Sequence, residues 1–296
     1  MTRKNKILPG LVLLILSTML ASADSTIDPS KPFAYSANLG WMNFLPNQPS
    51  SPEGVTVCEY FCSGRAYSAN AGWIDFGDGS PTNGIRYGNL NGNDAGVNHD
   101  GEGNLSGLAW GANIGWINFG WAGTNDPNRP RIDLFTGEFT GFAWGANIGW
   151  INLGSGQLVT QAIIYQHDTD NDGISDPWER EHVGNLTDLR KDRDFDGDGV
   201  TDKDEYCWAT DPTQRNSSPQ VLLNFNFNQN QVEASWWASA KRRYALEQSN
   251  DLFSWAATTG TFVKPTGLAF EVIPSPQLAT EPRLFFRFVA SKPLAP

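Results

Sequence analysis

The sequence has little of the chemistry that enzymes most often use. Among its 296 residues it has only three cysteines and three histidines, which are His99, His167 and His182. None of these histidines stands in a recognisable nucleophile motif, and no glycine-rich phosphate loop is present. We therefore predict a non-enzymatic protein. The minor alternative is a glycan-active enzyme, whose carboxylates would come from Asp75, Asp78, Asp133 and Glu138 in the repeat region.

Positive charge is also scarce. Lys and Arg number 21 against 32 Asp and Glu, which gives a formal net charge of −11. Residues 168–211 alone hold 15 of the acidic residues and only 5 basic ones. Such a surface repels a phosphate backbone, so we expect no nucleic-acid partner.

Long apolar runs are absent except near the start of the chain. A basic segment precedes an apolar stretch over residues 7–21 and the small residues Ala21-Ser22-Ala23. This pattern predicts a secretory signal peptide, residues 1–23. The stretch is short and interrupted by Pro9-Gly10, so we expect no membrane span after signal removal. The predicted location is secreted, extracellular or at the cell surface.

Two of the three cysteines lie close together in sequence. In an oxidising compartment Cys58 and Cys62 could form a local disulfide, if their Cα atoms lie within about 7 Å. Cys207 would then have no partner. Zinc is not indicated, because no His or fourth Cys stands at ligand spacing.

Glycine and tryptophan are abundant and recur in a fourfold repeat. Four Asn-x-Gly-Trp segments place their tryptophans at Trp41, Trp73, Trp116 and Trp150. In each segment an aromatic-bearing strand leads into Asn-x-Gly, and a second strand begins at Trp. Asn and a positive-φ Gly favour a hairpin turn. Spacings of 32, 43 and 34 residues between the tryptophans are typical of repeated structural units.

The repeats predict a β-domain over residues 24–166. The best-formed unit has an earlier strand, residues 131–135, so we expect three short strands per unit. The repeat tryptophans allow two interpretations. They could pack against neighbouring hairpins and form the core, which strict repetition favours, or they could form a platform for sugar rings. Trp121 lies outside the motif and is the better candidate for an exposed aromatic that contacts a glycan.

Residues 168–205 contain two twelve-residue loops of the calcium-binding pattern. Each has oxygen ligands at positions 1, 3, 5, 9 and 12, Gly at position 6, and an aliphatic residue at position 7 whose carbonyl is a further ligand. We predict two Ca²⁺ ions. The expected ligands are Asp168, Asp170, Asp172, Ile174, Asp176 and Glu179, then Asp194, Asp196, Asp198, Val200, Asp202 and Glu205.

A short helix is expected to begin within the end of the first loop and to occupy the region between the loops, residues 180–193. One or two further helical turns are expected over residues 204–209. They have too little apolar surface to be stable alone. Bound metal would therefore supply much of the folding free energy of this segment.

The segment 168–211 resembles bacterial thrombospondin type 3-like repeats, including the ending Glu205-Tyr206 and Thr210-Asp211-Pro212. The resemblance implies a calcium-rigidified spacer in a secreted or cell-surface protein. The loops begin 26 residues apart, which is short for a paired EF-hand lobe, so a calcium sensor is not expected. Dockerin modules are also similar, but they usually end the loop with Asp and continue into longer helices.

Beyond a linker, residues 213–219, the chain alternates apolar and polar residues in short runs. This pattern predicts an antiparallel β-sandwich over residues 220–296. The run from Tyr244 to Trp255 resembles a fibronectin III-like terminal domain. The N-terminal units resemble Gly-Trp-Ile repeats of bacterial secreted proteins, a likeness that implies no activity.

These features together predict a mainly β, modular, calcium-binding protein. A calcium-rigidified segment, residues 167–212, would hold the repeat domain away from the C-terminal sandwich. The partner would be a surface protein or a polysaccharide whose identity the sequence leaves open. The alternative is a lectin-like module that binds carbohydrate through the repeat tryptophans.

Overall fold

The computed structural model describes residues 25–46, 54–165, 167–258, 260–275 and 283–295. The predicted signal peptide lies outside these residues. Within them, no helix is long and apolar enough to cross a membrane.

The chain is mainly β, as the sequence predicts, and its N-terminal half consists of short strands. These are β1 (Ile27–Ser36), β2 (Gly40–Asn43), β3 (Thr56–Val57), β4 (Cys62–Ser63), β5 (Arg65–Ser68), β6 (Gly72–Asp75), β7 (Val97–His99), β8 (Leu105–Gly111), β9 (Gly115–Asn118), β10 (Arg131–Ile132), β11 (Phe139–Thr140), β12 (Phe142–Gly145), β13 (Gly149–Asn152) and β14 (Leu158–Thr160).

Four hairpins form a closed antiparallel barrel. Each Asn-x-Gly-Trp repeat contributes one hairpin, namely β1–β2, β5–β6, β8–β9 and β12–β13. Neighbouring hairpins pair side by side, and β13 pairs back with β1 through Tyr35–Asn152 and Ser36–Ile151. Closure leaves none of the four hairpins with an unpaired edge in the barrel wall.

The turns of the four hairpins are linked to one another by their asparagines. Each Asn donates its side-chain Nδ2–H to the carbonyl oxygen of the x residue in a neighbouring turn. The bonds are Asn38 to Ile148 (2.9 Å), Asn147 to Ile114 (3.0 Å), Asn113 to Ala71 (3.0 Å) and Asn70 to Leu39 (3.0 Å). They form a closed ring, which we call the asparagine ring. The turn glycines have φ values between +73° and +79°, as the sequence predicts.

Small and aliphatic side chains fill the barrel interior. Along each strand, alternate side chains point inward. The inward residues are Ala34, Ala66, Ala109 and Ala143 on the first strands and Met42, Ile74, Ile117 and Ile151 on the second, all at most 1 % exposed. Phe44, Phe76 and Phe119 follow the second strands and stack edge to face.

The repeat aromatics lie on the outer face of the barrel. This excludes the core packing of the tryptophans that strict repetition favoured. The outward residues, here called the aromatic belt, are Tyr35, Trp41, Tyr67, Trp73, Trp110, Trp116, Trp144 and Trp150, each between 38 and 53 % exposed. The strand alternation that buries Ala and Ile places their neighbours outside, and the narrow interior has no room for indoles.

We expected three short strands per unit. Each unit contributes two strands to the barrel, and the fourth unit has an earlier short strand that pairs outside it. In the fourth unit that strand is only Arg131–Ile132, paired with Phe139–Thr140. It ends early because Asp133 Oδ1 accepts the backbone N–H groups of Phe135 and Thr136, which forms a turn.

Two helices occupy the predicted calcium segment, α1 (Asp176–Val183) and α2 (Asp202–Trp208). Each begins at position 9 of its loop. For α1 this lies within the end of the loop, as expected, whereas α2 begins two residues before the predicted start at residue 204. Thr201 explains the second start, because its hydroxyl accepts the Asp204 N–H as a helix cap. In the first, Pro177 favours a helix start because its missing N–H is not needed there.

The C-terminal region consists of two three-stranded antiparallel sheets that share one buried cluster. Trp236 and Tyr244 lie in this cluster, with ring centroids 5.1 Å apart. The adjacent Trp237 is exposed. The strands are β15 (Leu222–Asn226), β16 (Gln231–Ala238), β17 (Arg243–Ser249), β18 (Ala256–Ala257), β19 (Gly267–Pro274) and β20 (Phe285–Ser291).

The expected disulfide is not formed. Cys58 and Cys62 are both buried free thiols. They belong to different apolar clusters, since Cys62 lies in the barrel core while Cys58 packs with residues of the helical segment. Burial raises the pKa of the Cys58 thiol to about 12.

Candidate functional site

The first acidic loop brings three of its predicted ligands together. Carboxylate oxygens of Asp168, Asp170 and Asp172 lie within 4.8 Å of one another. Asp168 accepts the backbone N–H of Gly173 at 2.7 Å, so the loop folds around its first carboxylate. Gly173 has a φ of +88°, the sharp turn expected at position 6.

The second loop repeats this arrangement. Asp194, Asp196 and Asp198 bring their carboxylate oxygens within the same 4.8 Å. Asp194 accepts the N–H of Gly199 at 2.8 Å, which matches the contact between Asp168 and Gly173 in the first loop. Two separate sequences therefore form the same oxygen cluster.

The glutamates at position 12 of both loops are buried. Glu179 and Glu205 are fully shielded from solvent. Within the described part of the chain, both Glu179 oxygens and Oε2 of Glu205 have no hydrogen-bond partner. Burial, and then the negative charges of neighbouring aspartates, raises the pKa of each glutamate to about 8.

The unpartnered oxygens of Glu179 and Glu205 indicate whether a cation fits the two acidic clusters. A buried carboxylate without a partner is strongly unfavourable, and a cation among the oxygens removes that penalty. Asp196 Oδ2 and Asp198 Oδ2 are likewise buried without a partner among the described residues. The donor set of each cluster is oxygen alone, which suits a hard divalent cation.

The aspartates at position 9 stay predicted ligands, and each also accepts a backbone hydrogen bond from its own loop. Asp176 and Asp202 lie outside the two carboxylate clusters. Asp176 accepts the backbone N–H of Thr169 at 2.7 Å, and Asp202 accepts that of Phe195 at 2.8 Å. Both therefore brace the start of their loop. The carbonyl groups of Ile174 and Val200 stay predicted ligands.

The two loops also contact each other. The backbone N–H of Lys191, between the loops, donates to Asp172 Oδ2 at 3.0 Å. Lys203 in the second loop donates from Nζ to the carbonyl oxygen of Gly173 in the first. The loops thus form one connected unit.

The helical segment packs directly onto the repeat domain. One buried apolar group, here called the junction cluster, includes residues from both parts of the chain. Its members are Cys58, Tyr60, Phe61 and Tyr87 from the repeat domain and Ile174, Trp178, Leu189 and Tyr206 from the segment. The segment is therefore in contact with the repeat domain, which an extended spacer would not be.

A buried charge joins three parts of the chain at this junction. The Glu59 carboxylate accepts hydrogen bonds from Ser175 Oγ at 2.7 Å and from the Tyr206 hydroxyl at 2.9 Å. Lys292, near the end of the described chain, also donates to it. Burial lowers the pKa of Lys292 to about 7, although Glu59 opposes this shift. No local sequence signal marks Glu59, so sequence analysis missed this contact.

The aromatic belt forms a second candidate site. A cleft of about 420 Å³ opens beside its third hairpin. The residues that line it include Asp75, Asp78, Asn93, Trp110 and Trp116.

Trp121, which the sequence predicts to be exposed, is in fact half-buried and packs against the aromatic belt. It donates its Nε1–H to the carbonyl oxygen of Phe142 at 2.5 Å, and its ring centroid lies 4.8 Å from that of Trp150. The repeat tryptophans, not Trp121, are therefore the main exposed aromatic surface.

The candidate acids and bases of the enzyme alternative have contacts that support the fold. His99 is buried, with Nδ1 2.8 Å from the carbonyl oxygen of Glu59 and Nε2 accepting the N–H of Gly103. Asp75 and Asp78 both line the cleft beside the third hairpin. Asp133 and Glu138 lie in a different hairpin, where their backbones pair.

Comparison with known proteins gives no guide to function. No protein-family model, curated protein or solved structure matches the chain. The function is therefore argued from the described residues alone.

Proposed function

We propose that this is a non-enzymatic calcium-binding protein of the cell exterior, in which two Ca²⁺ ions order the segment 167–212. The observation that best supports this proposal is the Glu179 carboxylate, which is buried beside three aspartates. Neither of its oxygens has a hydrogen-bond partner among the described residues. Around Glu205 the arrangement is similar, but only Oε2 is unpartnered among the described residues, because Oε1 accepts a hydrogen bond from Thr210 Oγ1 at 3.2 Å.

Calcium fits this oxygen set better than other common cations. Each loop offers three clustered aspartates and a buried glutamate able to bind through both oxygens. Ca²⁺ accepts six to eight oxygens at irregular angles, while Mg²⁺ demands near-octahedral geometry and retains several waters. Zinc and copper favour nitrogen and sulfur donors, which these clusters lack among the described residues.

The ordered segment would act as a rigid connector. Ile174 and Trp178 bury their side chains against the repeat domain, while Trp208 at the end of α2 packs in the C-terminal cluster. Calcium would fix both ends of this connection. This modifies the spacer idea, since the two β-regions would be held in place but not far apart.

Calorimetric titration of the mature protein with Ca²⁺ tests the proposal. We expect two binding events, each raising the unfolding free energy by about 2.7 kcal/mol at a free calcium concentration of a hundred times Kd. Glu179→Gln should remove one event. Glu181→Gln is the matched control, because Glu181 lies on the same helix but pairs with Arg86. If the wild-type protein shows no calcium heat and no change in Tm, the proposal fails.

Limited proteolysis tests the connector role separately. Chelator, or Asp168→Ala combined with Asp194→Ala, should expose residues 167–212 to protease while both flanking regions stay folded. Unchanged resistance in the presence of chelator would argue against a connector even if calcium binds.

A second candidate function is carbohydrate binding through the aromatic belt. The observation that favours it is the exposure of all eight belt residues. Exposed aromatics in such numbers mark interaction surfaces in soluble proteins. A polysaccharide pull-down tests it, with loss of binding expected when a belt tryptophan is replaced without unfolding the barrel.

A further inference from the structure

Each barrel unit builds the same three-residue row on the outer face. Two aromatic residues pair directly across the hairpin, and a polar residue from the preceding hairpin pairs with the first of them. Strand pairing gives the rows Asn152–Tyr35–Trp41, Asn43–Tyr67–Trp73, Asp75–Trp110–Trp116 and Asn118–Trp144–Trp150. The repeat thus places a hydrogen-bonding group beside an aromatic pair four times around the barrel.

The polar residue of each row is held in a fixed position. Asp75 Oδ1 accepts the N–H of Gly77 at 2.8 Å, and Asn43, Asn118 and Asn152 make the equivalent bond two residues on. A fixed polar group next to an exposed ring face is the combination that recognises a sugar. The ring face attracts the C–H groups of a pyranose, and the polar group bonds its hydroxyls.

The third row differs from the others. It has Asp75 in place of Asn, while its two tryptophans, with ring centroids 4.6 Å apart, resemble the pair in the fourth row, where the centroids are 4.7 Å apart. The segment between Trp73 and Trp116 is also the longest of the three between repeat tryptophans. Residues of this segment, Asp78 and Asn93 among them, form a wall of the cleft. This row lies in a cleft of about 420 Å³, which is large enough for small-molecule recognition.

The wall of this cleft is built from an ordered loop. The Tyr87 side chain is buried, and its hydroxyl accepts the N–H of Gly79 at 2.7 Å. Asp94 accepts the N–H of Gly88 at 2.9 Å and that of Thr82 at 3.2 Å. An ordered wall lowers the entropy lost when a ligand binds.

The charge of the cleft limits the ligand. Asp75 and Asp78 line it, and no Lys or Arg does so among the described residues. Arg65 reaches Asp75 at 3.4 Å without lining the cleft. Two carboxylates repel uronic acids and sulfated sugars, but they accept bonds from hydroxyl or ammonium groups.

We propose that the cleft at the third row is the principal binding site for pyranose units without negative charge, and that the other three rows are weaker sites for the same polymer. This inference rests on the carbohydrate-binding candidate function above. Four rows around one barrel can engage a branched or particulate polysaccharide together. Such multivalency can raise the overall affinity about 10²- to 10⁴-fold over a single site.

Affinity measurements in calcium-containing buffer test the site. The probes are a soluble neutral β-glucan, its carboxymethylated form and chitosan oligosaccharides. Trp116→Ala should weaken binding about tenfold, as expected for an aromatic anchor. Trp41→Ala in the first row should have a smaller effect. Trp237→Ala is the control, because Trp237 is exposed but lies outside the barrel.

Two further variants keep the test decisive if Trp116→Ala loses stability. Trp116→Phe retains a ring face and should retain most of the binding. Asp75→Asn converts the third row to the Asn found in the other three rows and preserves the Oδ1 contact. Because it removes a negative charge, it should weaken binding of chitosan more than binding of the neutral glucan.

The outcomes separate the site from the wider function. If no probe binds the wild-type protein, both the site and the carbohydrate function fail. If Trp41→Ala abolishes binding while folded Trp116→Ala and Asp75→Asn do not change it, carbohydrate binding stands and the third-row site fails. Tightest binding of the carboxymethylated glucan would also overturn it. If the site holds, tighter binding of chitosan indicates a polymer of amino sugars, and tighter binding of the neutral glucan indicates a polymer of uncharged sugars.

Discussion

Asn38 Nδ2 lies 2.9 Å from the carbonyl oxygen of Ile148, 110 residues later in the chain. This bond links the turns of the first and last hairpins, close to the strand pair that closes the barrel. It completes the asparagine ring. The side chain of each repeated Asn therefore connects its turn to a neighbouring turn.

Replacing Asn38 should weaken barrel closure. Asn38→Ala removes the donor to Ile148 and should lower the free energy of unfolding by about 1–2 kcal/mol, because a carbonyl group loses its partner. Chemical denaturation measures the effect. Asn125→Ala, at an exposed loop position, is the control and should change stability little. Equal effects of the two substitutions would deny the ring a special role in stability.

The reactivity of the cysteine thiols should show whether the junction cluster stays packed when calcium is removed. In calcium, Cys58 and Cys62 are buried and should react slowly with a thiol reagent, while the partly exposed Cys207 reacts first. Removal of calcium should loosen Ile174 and Trp178 and expose Cys58, but Cys62 in the barrel core should stay protected. The Cys58→Ser variant should lose the additional reactive thiol. If the chelator exposes both thiols, the barrel itself depends on calcium.

Calcium binding should release protons. Glu179 and Glu205 have pKa values raised to about 8 by burial and neighbouring aspartates, so both are largely protonated at pH 7 without metal. Binding requires the carboxylate form. We expect about one proton released per site at pH 7 and almost none at pH 9.5. Calorimetry in two buffers with different ionisation enthalpies measures this. A proton count that does not change between these pH values would contradict the prediction.

The stability of the calcium-free protein should fall as pH rises. The folded pKa of Glu179 lies above its unfolded value, so the folded state binds more protons between about pH 4.5 and pH 8. The unfolding free energy therefore decreases through this window. Scanning calorimetry of metal-depleted protein at pH 5.5 and pH 8 should show the lower Tm at pH 8, and Glu179→Gln should reduce the difference.

Removing Lys292 should destabilise the junction strongly. Lys292→Met leaves the buried Glu59 carboxylate without its charged partner and should reduce the unfolding free energy by about 3–5 kcal/mol. The second change Glu59→Gln should recover part of this loss. Lys241→Met is the control, because its pair with Glu102 is more exposed and should contribute at most about 1 kcal/mol. Similar losses for Lys292→Met and Lys241→Met would contradict this role.

Local sequence patterns predicted the elements whose causes are local. The Asn-x-Gly turns formed as expected because Gly40 and its counterparts take positive φ values wherever they occur. Asp168 and Asp194 each fold a loop around themselves through backbone bonds four and five residues on. The two acidic clusters could therefore be located from spacing alone. The disulfide prediction failed because spacing does not reveal which side each thiol faces.

The amino-acid sequence by itself determined the four hairpins, the two acidic loops and the β character of the chain, because these depend on residues close together in the chain. Only the tertiary structure decided which face of the hairpins is buried. Closing the barrel leaves a narrow interior that accepts Ala34 and Ile151 and places Trp41 and Trp150 outside. The tertiary structure also brought Glu59 next to Lys292. Because these two residues lie far apart in the sequence, no local pattern contains this contact.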